Sequence, residues 1–375
     1  MTSSASSAST SPRPSFLVIG AGAIGCLVGG KLALAGYAVT LVGRPAFAAL
    51  VRKHGLGLVE ENVQRTVDGV TAVGSIQEAL AVRPGHDVAI FAVKSYDTDA
   101  ALRELQDATA SEAGRAVRAA LSLQNGVGNE EAIADVVGGD GVIAGSITTP
   151  VTVLAPNQVR VDRSSYTVGL SPWRPEAPPD RLHEVRAALG AAGFRAVMYP
   201  DARGLKWTKL LMNMLGNATS AILDRPPEEV FDDPRLVDLE IEAWREAMAA
   251  MAAAHIRPVN LGSYPFAWLA PMVCWLPKTV LRPVLRGRIS GARGGKMPSL
   301  HLDLHSGRRR SEVQWLNGAV VRIAHQVGTQ APVNRMLTDT LLGLLADENR
   351  RAAWRHDNAR LASAAADYRR ATGAG

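Results

Sequence analysis

The sequence has very little cysteine and no long apolar run, and a secretory leader is not expected. Only Cys26 and Cys274 occur in 375 residues, too few for a disulfide framework or a cysteine metal cluster, so we expect no bound metal. Their apolar neighbours predict two buried thiols, which suits a reducing cytoplasm. Residues 267–281 are the most lipid-like stretch, but two prolines and a lysine interrupt them, and a span needs roughly 18–20 apolar residues. We therefore predict no membrane span.

The N-terminus is rich in serine. Six serines fall within the first eleven residues, and no apolar segment follows a basic one, so a secretory signal is not expected. We interpret residues 1–14 as a disordered tail.

Positive charge is local. Lysine and arginine number 41 against 35 aspartates and glutamates, and nine of the basic residues lie within residues 278–312, together with only two acidic ones. This distribution argues against a protein that coats polyanions, and we expect no nucleic-acid partner. It favours one anion-seeking surface or a solvated loop.

Two kinds of pattern divide the chain. Across residues 15–200, short apolar runs alternate with helical stretches, beginning with residues 16–19, a glycine turn and residues 23–34. Strands alternating with helices predict an α/β domain with a parallel, doubly wound sheet. Residues 201–370 are helical in pattern, as in 207–222, and predict a second, all-α domain.

Residues 261–297 interrupt the helical pattern. They contain four aromatic residues and four prolines, and Pro298 follows them. A connector this long inside a compact domain is unusual, and we interpret it as a lid, a subunit contact or an elaborated loop. Because exposed aromatics form a sticky patch, we favour a contact in a symmetric homodimer.

A glycine-rich turn follows the first apolar run. It has G-x-G-x-x-G spacing and consists of Gly20, Ala21, Gly22, Ala23, Ile24 and Gly25. Such glycines give a tight turn, close approach to a pyrophosphate and close helix packing, and the helix N-terminus then binds the phosphates. The motif alone also occurs in other α/β proteins, but its place between a strand and a helix predicts dinucleotide binding.

The second predicted strand, residues 38–42, indicates which dinucleotide. An NAD site places a carboxylate at the end of this strand for the ribose 2′-hydroxyl, whereas this strand is followed by Gly43 and Arg44. A guanidinium suits a 2′-phosphate, so we predict NADPH. An exposed loop arginine is the alternative.

Polar residues recur at every fourth position in the apolar stretch 207–222. Lys209, Asn213 and Asn217 fall on one face of a helix, and the residues around them are mostly Leu, Met and Trp. Buried amides need partners, which a small polar substrate would supply, and desolvation lowers the pKa of a lysine towards values at which it donates a proton. A solvated helix face remains the alternative.

Two further polar residues end predicted strands. Lys94 follows residues 86–93, and Asn125 follows residues 116–123. Ligands bind at the carboxyl ends of strands in open α/β sheets. Each residue alone is typical of a turn, but with the glycine turn they indicate one crevice.

Taken together, these residues resemble the ketopantoate reductase (2-dehydropantoate 2-reductase) family. The motifs occur in the family's order from about residue 16 to residue 345: the glycine turn with Arg44, Ala-Val-Lys94, Gln-Asn125-Gly-Val-Gly, Trp-Thr-Lys209 through Asn217, Lys-Met-Pro-Ser299, Ser-Glu312-Val and Ala-Pro-Val-Asn334. The resemblance implies an N-terminal Rossmann-type domain and a C-terminal all-α domain, as in 6-phosphogluconate dehydrogenase.

The resemblance also implies the reaction and its residues. In the family NADPH reduces ketopantoate to pantoate, for pantothenate, and the lysine matched by Lys209 donates the proton. The glycine turn, Arg44, Lys94 and Asn125 would then hold NADPH, with Glu312 beside both the cofactor and the lysine. Asn125, Asn213, Asn217 and Ser299 would hold the substrate, and Glu312 would keep Lys209 oriented.

The chain departs from the family pattern in three places. A further substrate-binding asparagine is replaced by Pro227, the interval from Asp303 to Glu312 is one residue longer, and residues 261–297 are an insertion. Pocket contacts select the substrate, so another 2-oxo acid is the alternative. An alternative of another class is a non-catalytic NADPH-binding regulator whose basic, aromatic arm engages a membrane or nucleic acid; the set of Lys209, Asn213 and Glu312 disfavours it.

Overall fold

The computed structural model describes residues 13–61, 63–109, 117–161, 166–290 and 296–373. Most of the predicted N-terminal tail, residues 1–12, lies outside these ranges.

Twelve strands occur among the described residues. They are β1 Phe16–Ile19, β2 Val39–Val42, β3 Leu56–Glu60, β4 Val63–Val67, β5 Val70–Val73, β6 His86–Phe91, β7 Val117–Ser122, β8 Val142–Ile147, β9 Val151–Ala155, β10 Gln158–Val161, β11 Thr167–Pro172 and β12 Arg195–Met198.

The described residues also form seventeen α-helices. They are α1 Ala23–Leu34, α2 Pro45–His54, α3 Ile76–Val82, α4 Thr98–Thr109, α5 Asn129–Val137, α6 Pro179–Ala191, α7 Ala202–Met214, α8 Asn217–Leu223, α9 Pro227–Asp232, α10 Pro234–Ala253, α11 Phe266–Trp275, α12 Lys278–Ser290, α13 Ser299–His305, α14 Asn317–Gln326, α15 Pro332–Ala346, α16 Arg351–Trp354 and α17 Asn358–Ala371.

The main sheet has eight strands in the order β12-β11-β8-β7-β6-β1-β2-β5. The pairs from β8 to β5 are parallel, whereas β11 runs antiparallel to β8, so the sheet is mixed. Helices cover both faces, and β1, whose four residues are all buried, lies between β2 and β6. The predicted architecture of a Rossmann-type sheet and a helical domain is confirmed.

A second, four-stranded sheet was not predicted. Its order is β4-β3-β10-β9, and it packs against α1. The segment 142–153 divides between the two sheets, because β8 belongs to the first and β9 to the second. Strand β4 is exposed at four of its five residues, so its sequence has no apolar pattern to reveal it.

The helical part surrounds the long helix α10. Asp233 caps this helix by accepting a hydrogen bond from the Arg235 amide, and Pro234 occupies its first turn. The predicted helix 207–222 is wrong as one element, because the chain breaks between α7 and α8 at Gly216, whose φ of +68° is left-handed. Asn217 therefore begins a new helix instead of continuing α7.

The segment 261–297 is also more regular than predicted. It forms α11 and α12, which pack against α10 and contain Pro271 and Pro283 within their length. Prolines inside a helix remove a backbone hydrogen bond, so the sequence pattern did not predict these two helices.

Ion pairs fasten α12 to its neighbours. Lys278 pairs with Glu242, Arg282 with Asp238 at 2.6 Å, and Arg286 with Asp232 at 2.7 Å. Three of the nine basic side chains in residues 278–312 are therefore paired with carboxylates.

The outer face of α11 is apolar and exposed. Trp268 and Trp275 expose 56% and 86% of their surface, and Met272 lies between them on the same face. The described chain leaves both tryptophans uncovered.

Cys274 on α11 is exposed, so the prediction of a buried thiol there is wrong, whereas Cys26 is buried. Among the described helices, none combines the length and apolarity needed to cross a membrane.

Candidate active site

The glycine turn connects β1 to α1 at the carboxyl edge of the main sheet. Gly20 has a φ of +109°, and a Cβ on Gly25 would lie 1.9 Å from the Gly20 carbonyl oxygen, so neither position admits a side chain. A Cβ on Gly22 would meet no atom within 4 Å. Gly22 is exposed at the N-cap of α1, which leaves open space where a phosphate could approach the helix N-terminus.

Arg44 follows β2 at the same edge and is exposed. It is the N-cap residue of α2, without a side-chain capping hydrogen bond. Burial raises the pKa of the nearby Asp97 carboxyl, and the positive charges of Arg310 and Arg44 act against that rise. Arg44 therefore belongs to the charged rim of the crevice.

Lys94, three residues beyond the end of β6, pairs with two buried carboxylates. Its Nζ lies 2.6 Å from Glu312 Oε2 and 3.1 Å from Asp303 Oδ1. Burial acts to lower the pKa of Lys94, but the two carboxylates outweigh it and raise the pKa above its ordinary value. Burial raises the pKa of Asp303, against the effect of Lys94. Lys94 is therefore a permanent cation that links the sheet to the helical part.

Glu312 lies in a 3₁₀ turn before α14 and is 2% exposed. Besides Lys94, it accepts a hydrogen bond from the Ser95 amide at 3.4 Å, and its own amide donates to Asp303 Oδ2 at 3.2 Å. We expected Glu312 to orient Lys209. The contacts described for Glu312 fix the loop after β6, and its role in orienting Lys209 stays a prediction.

Asn125, just beyond the end of β7, reaches the helical part. Its side-chain oxygen accepts a hydrogen bond of 3.0 Å from Asn213 Nδ2 on α7. Its backbone oxygen accepts from Ser95 Oγ at 2.8 Å. The residues predicted from two separate motifs therefore meet across the crevice.

Asn217 and Ser299 also lie together. Asn217 Nδ2 donates to the Asn213 carbonyl at 3.0 Å and to Ser299 Oγ at 3.2 Å, and its Oδ1 accepts from the Leu300 amide. The helix break at Gly216 does not separate the predicted stripe, because Asn217 bonds back to the last turn of α7. Lys209 lies on α7 between Lys206 and Asn213 and is partly buried.

The loop after β7 fits tightly against the turn that contains Glu312. Val127 donates its amide to the Trp315 carbonyl at 3.2 Å. A Cβ on Gly126, whose φ is +77°, would lie 2.5 Å from the same oxygen. Only glycine fits there.

The sequence interpretation missed Lys206. This residue is 2% exposed and its Nζ bonds to the Gln124 carbonyl at 2.7 Å and to Glu130 Oε1 at 2.8 Å. Lysine side chains are mostly exposed in proteins, so the sequence does not predict that Lys206 is buried. Its spacing of three from Lys209 is the one signal that places both lysines on the same helix face.

One group of possible metal ligands occurs among the described residues. Donor atoms of Asp224, His301 and His305 lie within 4.8 Å of one another. Those groups already bond to each other or to neighbours: His301 Nε2 lies 2.7 Å from Asp224 Oδ1, and Arg355 pairs with the other oxygen of Asp224 at 2.8 Å. We assign no metal to them.

Comparison with known proteins identifies both halves of the chain. Residues 16–174 match the model of "Ketopantoate reductase PanE/ApbA", and residues 201–344 match "Ketopantoate reductase PanE/ApbA C terminal". The 2-dehydropantoate 2-reductase of Halobacterium salinarum is 30% identical, with 86% of this chain and 96% of that protein covered. The one from Pyrococcus horikoshii is 29% identical, with 85% and 94% covered.

Solved structures agree with this assignment. A PanE/ApbA family ketopantoate reductase from Ralstonia eutropha is 27% identical with a TM-score of 0.72, and the match covers 89% of this chain and 99% of that one. The fold is also that of D-mandelate dehydrogenase in complex with NADH and anilino(oxo)acetate, at a TM-score of 0.74, 20% identity and the same coverage. The two family models, the relatives and the fold together establish that this chain belongs to the ketopantoate reductase family of oxidoreductases.

Proposed function

We propose that this protein uses NADPH to reduce 2-dehydropantoate to pantoate, in pantothenate and coenzyme A biosynthesis, with Lys209 as the general acid. Family membership supports the reaction class. The free thiols of Cys26 and Cys274 suit a reducing cytoplasm.

The observation that carries the proposal is the hydrogen bond between Asn213 and Asn125. It brings α7, which bears Lys209, to the loop that ends β7 at the sheet's carboxyl edge. Asn217 and Ser299 extend the same polar surface away from the sheet. A small oxo acid between these amides and the cofactor edge would have donors for its polar groups.

The residues at the edge fit a nicotinamide dinucleotide. The open space at Gly22 and the N-terminus of α1 suit the pyrophosphate, and Arg44 suits a 2′-phosphate. When bound, the cofactor supplies a hydride to the substrate carbonyl carbon. Lys94 and Asn125 would support it from the neighbouring strand ends.

Lys209 supplies the proton in this proposal. Negative charge develops on the carbonyl oxygen during reduction, and an ammonium directed at that oxygen stabilises the charge and then donates a proton. Asn213, one turn further along α7, and Asn217, at the start of α8, would hold the carboxylate and hydroxyl groups of the substrate.

A different 2-oxo acid is the second candidate, and two observations favour it. Pro227 begins α9 where the family pattern has a substrate-binding asparagine, and an amide cannot be replaced there by a proline without losing its hydrogen bonds. D-mandelate dehydrogenase, which has the same fold, is known in complex with anilino(oxo)acetate.

The test is a spectrophotometric assay of NADPH oxidation against a panel of 2-oxo acids that includes ketopantoate, pyruvate, 2-oxoisovalerate and benzoylformate. We expect the highest kcat/KM with ketopantoate. A higher value with another acid would reassign the substrate, and no oxidation with any acid, despite bound NADPH, would favour the regulator.

A further inference from the structure

Lys206 is a buried ammonium that connects the two parts of the chain. It lies on α7, and its Nζ donates to the carbonyl of Gln124 at 2.7 Å and to that of Gly145, on β8, at 3.3 Å. It also pairs at 2.8 Å with Glu130 in the first turn of α5, whose side chain is 1% exposed. Three elements of the sheet domain thus converge on one side chain of the helical part.

Burying an ammonium is costly unless oxygens surround it. Lys206 has three oxygen partners, and its replacement would leave Glu130 as an uncompensated buried charge. An apolar residue of similar volume would fill the same space without needing oxygen partners. The presence of a lysine therefore indicates that its bonds to the sheet domain serve to position α7.

The partners of Lys206 define that role. Gln124 precedes Asn125, which accepts the hydrogen bond from Asn213 at 3.0 Å. Two hydrogen bonds therefore connect α7 to adjacent residues of one loop: Lys206 bonds to Gln124, and Asn213 bonds to Asn125. At 100° per residue, Lys206, Lys209 and Asn213 share one helix face, so Lys209 lies between the two ties.

We propose that Lys206 is a positioning residue that fixes Lys209 relative to the cofactor-binding loop at Asn125. The inference rests on the proposed role of Lys209 as the proton donor. Lys206 itself contacts neither substrate nor cofactor, since its ammonium is already occupied by the carbonyl and carboxylate oxygens.

The test uses the full-length double variant Lys206→Met/Glu130→Gln, which removes both members of the buried pair. Lys31→Met is the matched control, because it removes an ammonium from another ion pair of the sheet domain, with Glu60 at 3.0 Å. Three measurements are made well below the unfolding temperature: hydrogen exchange of residues 123–128 without ligand, NADPH affinity, and the solvent deuterium isotope effect on kcat.

We expect faster exchange across residues 123–128, a kcat lower by on the order of 10²-fold from misplacement of the donor, and a larger solvent isotope effect because proton transfer becomes limiting. The control should change none of these. Unchanged exchange and an unchanged isotope effect in a folded double variant would overturn the inference. If the wild-type protein reduces no oxo acid, the proposed function fails, whereas the exchange result still reports on the tie.

Discussion

Asn213 on α7 donates a 3.0 Å hydrogen bond to the side-chain oxygen of Asn125 beyond β7. These amides belong to different sequence motifs, 88 residues apart. Their contact joins the helical part to the sheet at the loop after β7, and it brings α7, the helix that bears Lys209, to that edge.

Arg44 should determine cofactor choice. Because a guanidinium suits a 2′-phosphate and Arg44 follows β2 where an NAD site has a carboxylate, NADPH should bind at least about tenfold more tightly than NADH, or about 1.4 kcal/mol. Arg44→Ala should remove this preference and leave NADH affinity unchanged, as measured by fluorescence titration. Equal affinity of the wild-type protein for the two cofactors would contradict the assignment.

Lys209 should be required for turnover but not for cofactor binding. Lys209→Ala should lower kcat by about 10² or more, the usual contribution of a general acid, with NADPH affinity retained. The exposed Lys53, at the end of α2, gives the control variant Lys53→Ala. Near-normal turnover of a folded Lys209 variant would exclude it as the donor.

Glu246 should make stability depend on pH. Its carboxylate accepts hydrogen bonds from the amides of Val333 and Asn334, and burial raises its pKa from 4.5 to about 7. The folded state therefore holds the proton more tightly than the unfolded state, so its stabilising contribution is complete below about pH 4.5 and is lost as the pH rises through 7.

The pH dependence is tested by comparing the stability of the wild-type protein with that of Glu246→Gln, whose side chain carries no charge at any pH. The stability of the wild-type protein relative to this variant should fall between pH 4.5 and 7.5 by on the order of 2–3 kcal/mol, measured by denaturant unfolding. Glu348→Gln, at an exposed site, should show no such trend. A pH-independent difference for Glu246→Gln would refute the prediction.

The exposed face of α11 should bind a second copy of this chain. Two tryptophans and Met272 are exposed there, and buried aromatics contribute about 150–250 Å² each, a substantial part of the roughly 800 Å² per partner in a stable complex. Three basic side chains on the neighbouring helix α12 are paired with carboxylates, so they are not available to bind an anionic membrane or a nucleic acid.

Light scattering on the intact chain should give the mass of a dimer, and Trp268→Ser/Trp275→Ser should give a monomer. Val82→Ser, at another exposed apolar site, should leave the dimer intact. A monomeric wild-type protein, or a dimer insensitive to the tryptophans, would exclude this surface as the subunit contact.

The fold could be predicted from the sequence where packing in the structure itself dictates the residue pattern. The glycine turn has its spacing because Gly25 packs against Gly20, and the buried strands are apolar because both faces of the sheet are covered. The exposed strand β4 has no such signature, and the prolines within α11 and α12 concealed two helices that packing against α10 stabilises.

The site could be predicted only in part. The motifs identified Asn125, Asn213, Asn217 and Ser299, and the structure places these four residues in a chain of hydrogen bonds. The sequence did not reveal that Lys94 is the partner of Glu312, because that pair joins residues 218 positions apart. It also could not show that Lys206 is buried, since burial depends on the strand ends that surround it.

The close fit of Gly126 against the Trp315 carbonyl has a consequence for motion. The loop after β7 is held against the helical part, because its backbone rests on that carbonyl and Val127 is bonded to it. Separating the two parts would also break the buried Lys206 contacts. An opening of the two parts at this loop would therefore cost all of these contacts together.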